Sequence, residues 1–143
     1  MRILQLSHIY YPFLDLGGPA GKVKAIAERM AQRGHEVTVV TSNHGSRRTV
    51  TETIGGVEVV YLAAYGSYRS ATLNPGIVRF SRRRLQAFDV AHVYGLYDLL
   101  GPAGAFACRE TNGVNTAHRF IRVALVHDEK TTREGMTRLA AVL

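Results

Sequence analysis

Apolar positions in the first forty residues follow two rhythms. One short run, Ile3, Leu4 and Leu6 around Gln5, fills Arg2 to Leu6, and a second, Val37-Thr38-Val39-Val40, has the same strand-like density. Between them Val23, Ile26, Ala27, Met30 and Ala31 recur at i, i+3, i+4, i+7 and i+8. That spacing is the core-facing stripe of an amphipathic helix over Lys22 to Arg33. Gly34 comes just past the last periodic residue, where a left-handed C-terminal cap is wanted. The first run reaches the helix through a loop that narrows to Gly17-Gly18-Pro19-Ala20-Gly21. Strand, glycine loop, helix, strand is the first crossover of a parallel α/β sheet.

The pattern continues in kind. Thr41-Ser42-Asn43 closes the second strand, and Gly45-Ser46-Arg47-Arg48 is a polar loop. Thr49 to Ile54 and Val57 to Leu62 flank Gly55-Gly56, which predicts a β-hairpin with a two-residue turn. Ala63 to Pro75, rich in tyrosine and serine, reads as an irregular loop in which Tyr65, Tyr68 and Arg69 face solvent or a ligand. Gly76 to Ala87 fits a helix with a basic face. Val90 to Val93 is a short buried strand with His92 near its carboxyl end. Leu96, Leu99, Leu100, Ala103, Phe106 and Ala107 then keep helical spacing to Arg109, with Pro102 able to kink that helix. The predicted fold is α/β: a Rossmann-like parallel sheet with flanking helices and one β-hairpin.

Candidate chemistry sits where strands give way to loops. A loop between a parallel strand and its helix lies at the carboxyl edge of the sheet, where open α/β folds bind ligands. Gly17 and Gly18 lack Cβ atoms, so their amides can come close to a ligand, and the adjoining helix N-terminus favours an anion. A tight turn alone explains the same glycines equally well. Neither GxxxxGK[ST] nor GxGxxG is present, which argues against a P-loop hydrolase and a dinucleotide dehydrogenase. His92 can donate to a substrate hydroxyl or phosphate, or carry a proton; a packing role competes with both.

Composition narrows the classes. A chain of 143 residues with 46% hydrophobic and 20% charged positions is ordinary material for one globular domain. No apolar run approaches the roughly 18 residues of a membrane span, and Met1-Arg2 leads straight into a strand rather than a signal peptide. Cys108 has no second cysteine to pair with, which suits a reducing, cytoplasmic setting. The net charge of +7 gathers at Arg47-Arg48, at Arg79 with Arg82-Arg83-Arg84, and in the tail at Arg119, Arg122, Arg133 and Arg138. These arginines are not interleaved with stacking aromatics, so nucleic acid is disfavoured. An anionic membrane surface fits Arg79 to Leu85 better, with Phe80 and Leu85 dipping beside the arginines. A solvated helix face explains the same charges without any partner.

Four strings in fixed order carry a family resemblance. They are Arg2-Ile3-Leu4-Gln5-Leu6-Ser7-His8-Ile9-Tyr10-Tyr11-Pro12-Phe13 with Gly17-Gly18, then Arg33-Gly34-His35-Glu36-Val37-Thr38-Val39-Val40-Thr41, Gly56-Val57-Glu58-Val59, and Phe88-Asp89-Val90-Ala91-His92-Val93-Tyr94-Gly95. Together they resemble the amino-terminal domain of family 4 retaining glycosyltransferases, over about residues 1–112. The resemblance implies a single half of a GT-B enzyme, in which two Rossmann-like domains face each other across a cleft. Residues 1–143 would be the acceptor-side domain, with 113–143 atypical for the family. It implies a nucleotide diphosphate sugar as donor, a glycan or lipid as acceptor, retention at the anomeric carbon, and no permanently bound cofactor or metal.

By the same resemblance Gly17 and Gly18 would be the diphosphate-loop glycines and His92 would sit on the acceptor side. Past Gly113 the pattern departs from the family. One reading places a delayed strand at Val123-Ala124-Leu125-Val126, followed by His127-Asp128, which makes His127 a further candidate; the other takes the tail as foreign, out-of-frame sequence. The family's carboxyl-terminal donor domain does not fit in this length. The chain is therefore expected to be a truncated product or one member of a split pair, inactive alone and cytoplasmic, peripheral at the inner face of a membrane. The contrasting expectation is a non-catalytic glycan- or membrane-binding module, or a remnant.

Overall fold

The computed structural model describes residues 1–16, 19–68, 71–95 and 100–103. In chain order the elements are β1 (Arg2–Ser7), α1 (Pro19–Gln32), β2 (Glu36–Asn43), β3 (Val50–Ile54), β4 (Val57–Ala63), β5 (Ser67–Tyr68), β6 (Ala71–Thr72), α2 (Gly76–Arg84) and β7 (Val90–Tyr94). Short 3-10 turns occupy Leu14–Leu16 and Leu85–Ala87, and residues 100–103 are helical.

Five strands make the central sheet in the order β3-β4-β2-β1-β7. β1 pairs in parallel with β2 and β7, β2 in parallel with β4, and β3 antiparallel with β4. Strand alternation divides the core in two. Leu4, Leu6, Val40, Val60, Leu62 and Ala91 face Ile77, Phe80 and Leu85 on the α2 side. Ile3, Val37, Val39, Val57, Val59 and Tyr61 face Val23 and Ala27 of α1 on the other. A parallel sheet covered on both faces needs near-continuous apolar strands, and those are the runs the sequence supplies.

Gly34 has φ +84°; its amide donates to the Ala31 carbonyl (2.9 Å) and that of His35 to the Met30 carbonyl (3.2 Å), a left-handed cap that closes α1. The helix begins at Pro19, a turn earlier than the periodicity predicts, because Ala20 is fully buried and extends the Val23–Ala27 stripe. Gly55 and Gly56, at φ +57° and +80°, form the turn of the predicted hairpin.

Two expectations change. The Ala63–Pro75 stretch is not irregular throughout: Ser67 pairs with Thr72 and Tyr68 with Ala71 in a small antiparallel ladder, extended by Tyr65 N–H to the Leu73 carbonyl (3.0 Å). Phe80 and Leu85 cannot dip into a membrane, since they are 7% and 8% exposed in the α2-side core. The helical spacing of α2 puts Ile77, Phe80 and Ser81 inward and leaves Val78 at the surface.

Candidate functional site

Because β1, β2, β4 and β7 are parallel, Ser7, Asn43, Ala63 and Tyr94 all end on one rim of the sheet. From β1 the chain moves through α1 to β2 on one side. From β4 it returns through α2 to β7 on the other side of β1. The strand order therefore reverses between β1 and β7, the topological switch point at which open α/β sheets bind ligands.

The loop after β1 is shaped first by its own residues. Ser7 Oγ donates to the Ile9 carbonyl (2.8 Å), Ile9 and Tyr10 are buried, and the Phe13 amide returns to the Tyr10 carbonyl (2.9 Å). Side chains from neighbouring strands then hold it. His44, the first residue after β2, places Nε2 2.8 Å from the His8 carbonyl and packs edge-on against Phe13, ring centroids 5.3 Å apart. Tyr61 of β4 donates its hydroxyl to the Tyr11 carbonyl at 2.6 Å. Burial first, then the negative charge of Glu52 and the Tyr11 ring hydroxyl, push the Tyr61 phenol up to about 12, so it remains a donor at physiological pH. Lys24 lies over the Tyr11 ring at 5.8 Å while pairing with Glu28 at 2.6 Å.

The loop after β7 meets this one. A Cβ built on Gly95 would stand 3.5 Å from His8 Nδ1, and one on Gly101 would stand 2.5 Å from the Gly95 carbonyl oxygen. Only a residue without a side chain lets the helical segment 100–103 come that close to the end of β7. His8, Gly95 and Gly101 are thus the meeting point of the two loops that flank the switch point.

His92 lies at the middle of β7, two positions below the rim rather than at it, in register with Gln5. It is half-buried on the α1 side, edge-on to Tyr94 with centroids 6.4 Å apart. Burial lowers its pKa, which leaves the imidazole neutral at pH 7, and burial raises that of the Tyr94 phenol. Its register partner Gln5 is fully buried, with Nε2 3.6 Å from Met30 Sδ. Gly17, Gly18 and His127 lie outside the described residues, as do Arg69 and most of the helix predicted for Leu96–Arg109. Sequence reading passed over His8, His44 and Asn74. The signal for His44 was available: it stands immediately after a predicted strand, on the rim where ligands bind.

Residues 17–142 match the family of the glycosyl transferase 4-like domain. The chain belongs to that family. Among its relatives, an uncharacterized 42.6 kDa protein in the cps region of Klebsiella pneumoniae is 34% identical over 73 residues, 51% of this chain and 19% of that protein. A subunit of the Homo sapiens phosphatidylinositol N-acetylglucosaminyltransferase is 29% identical over 70 residues, 49% of this chain and 14% of its own length. The glycosyl transferase 4-like match runs through α1, the hairpin, α2 and β7, and so contains three of the four parallel strands that make the rim. Among the described residues of this glycosyl transferase 4-like domain, no helix is long and apolar enough to cross a membrane.

Proposed function

We propose that this domain is the acceptor-side half of a retaining glycosyltransferase, moving a sugar from a nucleotide diphosphate sugar to a hydroxyl of a glycan or lipid acceptor at the cytoplasmic face of a membrane. The observation that carries the reading is the β1/β7 switch point, opened by the loop that leads into α1, in a chain of the glycosyl transferase 4-like family. A second Rossmann-like domain completes the cleft and supplies most of the nucleotide pocket. The aligned segments cover 19% and 14% of the two relatives, which leaves ample chain in such proteins for that half.

The chemistry follows from charge. As the anomeric bond breaks, negative charge collects on the leaving diphosphate. Gly17 and Gly18 directly precede the first turn of α1, so amides there act together with the positive end of the helix. His44 and Tyr61 hold the same loop from behind, and His92 belongs to the acceptor side as a neutral hydrogen-bonding group. The name of the human relative couples N-acetylglucosaminyl transfer to phosphatidylinositol, which supports a lipid-borne acceptor here.

The test combines this chain with a separately produced donor-binding domain, labelled nucleotide sugars and a membrane lipid extract. Label entering the lipid or glycan fraction only in the mixture, with anomeric configuration kept, is the expected result. Gly18→Trp should then abolish transfer, because the indole occupies the space of the diphosphate. No transfer from any nucleotide sugar, or full turnover by Gly18→Trp, would sink the assignment.

A further inference from the structure

The outer face of α2 has no part in the proposed transfer chemistry, yet its charge is of one sign. Gly76–Arg84 carries Arg79, Arg82, Arg83 and Arg84 and no acidic residue. Arg84 is committed: it binds Glu58 through two nitrogens (2.8 and 3.1 Å) and lies over the Phe80 ring at 5.5 Å. Among the described residues, Arg79, Arg82 and Arg83 have no carboxylate partner. With Pro75 and Val78 they line an open groove of about 430 Å³.

Apolar groups stand among these cations. Val78 is 50% exposed in the middle of the basic face and Leu73, just before the helix, is 49% exposed. Tyr65 and Tyr68 are exposed on the β5–β6 hairpin that leads into α2. Arginines without a carboxylate partner around the exposed Val78 match a bilayer interface, with anionic headgroups outside and acyl chains beneath. A nucleic-acid backbone would satisfy the guanidinium groups but leave Val78 and Leu73 without a partner of their kind.

We propose that the outer face of α2 docks on an anionic lipid bilayer, with Arg79, Arg82 and Arg83 among the headgroup phosphates and Val78 and Leu73 at the acyl boundary. α2 starts just after the rim end of β4 and ends at Glu58 near that strand's other end, so the docked bilayer lies alongside the sheet with the rim at its margin. The proposal deepens the reading of a lipid-borne acceptor and rests on it for its purpose. Its measurement needs no transferase activity, so either can fail while the other stands.

The experiment is co-sedimentation of the full chain with phosphatidylcholine vesicles containing about a third phosphatidylglycerol, compared with pure phosphatidylcholine. Binding is expected on the mixed vesicles, falling steeply as salt rises. Each arginine is worth roughly fivefold, so the combined Arg79→Gln, Arg82→Gln, Arg83→Gln variant should lose on the order of 100-fold. Val78→Asn should lose less, and by a factor that salt does not change. Arg47→Gln with Arg48→Gln, on the loop after β2, should bind like the parent. Should the triple variant lose its fold by circular dichroism, Arg82→Gln alone must still show its fivefold loss. Unchanged binding by the triple variant, equal binding to pure phosphatidylcholine, an equal loss from the Arg47 and Arg48 changes, or tighter binding to a duplex oligonucleotide would each overturn the proposal.

Discussion

Two loops leave the same rim and are fastened in opposite ways. The loop from β4 to α2 is tied by Asn74, 3% exposed, whose amide nitrogen donates to the carbonyls of Ala63 (2.9 Å) and Leu62 (3.1 Å) and lies 3.1 Å from Ser42 Oγ. The Thr72 hydroxyl donates to Asn74 Oδ1 at 2.7 Å and stands 2.8 Å from Ser42 Oγ. Among its described residues, the loop from β1 to α1 has no such hub. Two side chains from outside, His44 and Tyr61, each hold one of its carbonyls. Its Tyr11 and Leu14 remain 42% and 39% exposed. A saturated buried network gives one arrangement, whereas single ties at a surface permit small rearrangements. The first arrangement suits a foundation, and the second suits a loop that must close on a ligand.

The sharpest way to break this contrast is Asn74→Ala. The change takes the side-chain donor from two carbonyls in a buried site, each expensive to leave unpaired, and leaves the Thr72 hydroxyl only Ser42 Oγ, so about 2–4 kcal/mol of stability should be lost. Chemical denaturation measures it. Hydrogen exchange should show the Tyr65 and Leu73 amides losing protection together, since the β5–β6 hairpin is anchored at this point. A loss below about 1 kcal/mol would mean that both loops are held alike.

Tyr61→Phe probes the other loop and should be milder, about 1 kcal/mol, because the Tyr11 carbonyl it abandons can turn to water. Turnover of the completed enzyme should suffer more than folding does if the loop it steadies meets the diphosphate as proposed. Alkali gives an independent check. The Tyr61 phenol is raised from 10.0 to about 12, so the folded protein keeps the proton that the unfolded chain releases. Its contribution is whole below pH 10 and disappears as pH climbs through about 12. The stability gap between parent and Tyr61→Phe should close over that interval; a gap that stays constant would show that the phenol is not the tie.

The same contrast explains what the sequence disclosed. Elements whose residues repeat with a fixed period were readable: the Val23–Ala27 stripe, the apolar strands and the Gly55-Gly56 turn all depend on neighbours close in the chain. So does the Gly34 cap. The ties were not readable, because His44 to His8 spans 36 positions, Tyr61 to Tyr11 spans 50 and Asn74 to Ser42 spans 32. Asn74 stands at the end of a stretch that reads as an irregular loop, and its amide turns back to the sheet. Phe80 and Leu85 were misplaced for a related reason. With four arginines in nine residues, the apolar positions of α2 do not show from the sequence whether they meet a sheet or a membrane; the packing against β4 and β7 decides it.

The smallest effect belongs to a tie at the other end of α2, which serves as the control for the first. Glu58 accepts from Arg84 twice and from Thr38 Oγ1 at 2.8 Å, its register partner across β2 and β4. The Arg84 hydrogen bonds are the main reason its carboxyl pKa is lowered, with partial burial opposing them and Thr38 assisting. Because the folded value is depressed, the stabilisation is present above about pH 4.5 and is lost as acid carries the pH through the lower folded value. Solvent reaches both partners, with side chains 43% and 34% exposed, so screening leaves only about 0.5–1 kcal/mol. Glu58→Gln should therefore cost that much at pH 7 and progressively less as acid carries the pH through the depressed folded value, read from urea midpoints. A cost at pH 7 equal to that of Asn74→Ala would remove the distinction between a buried hub and a wet tie, and with it the reason for treating the rim's two loops as different in kind.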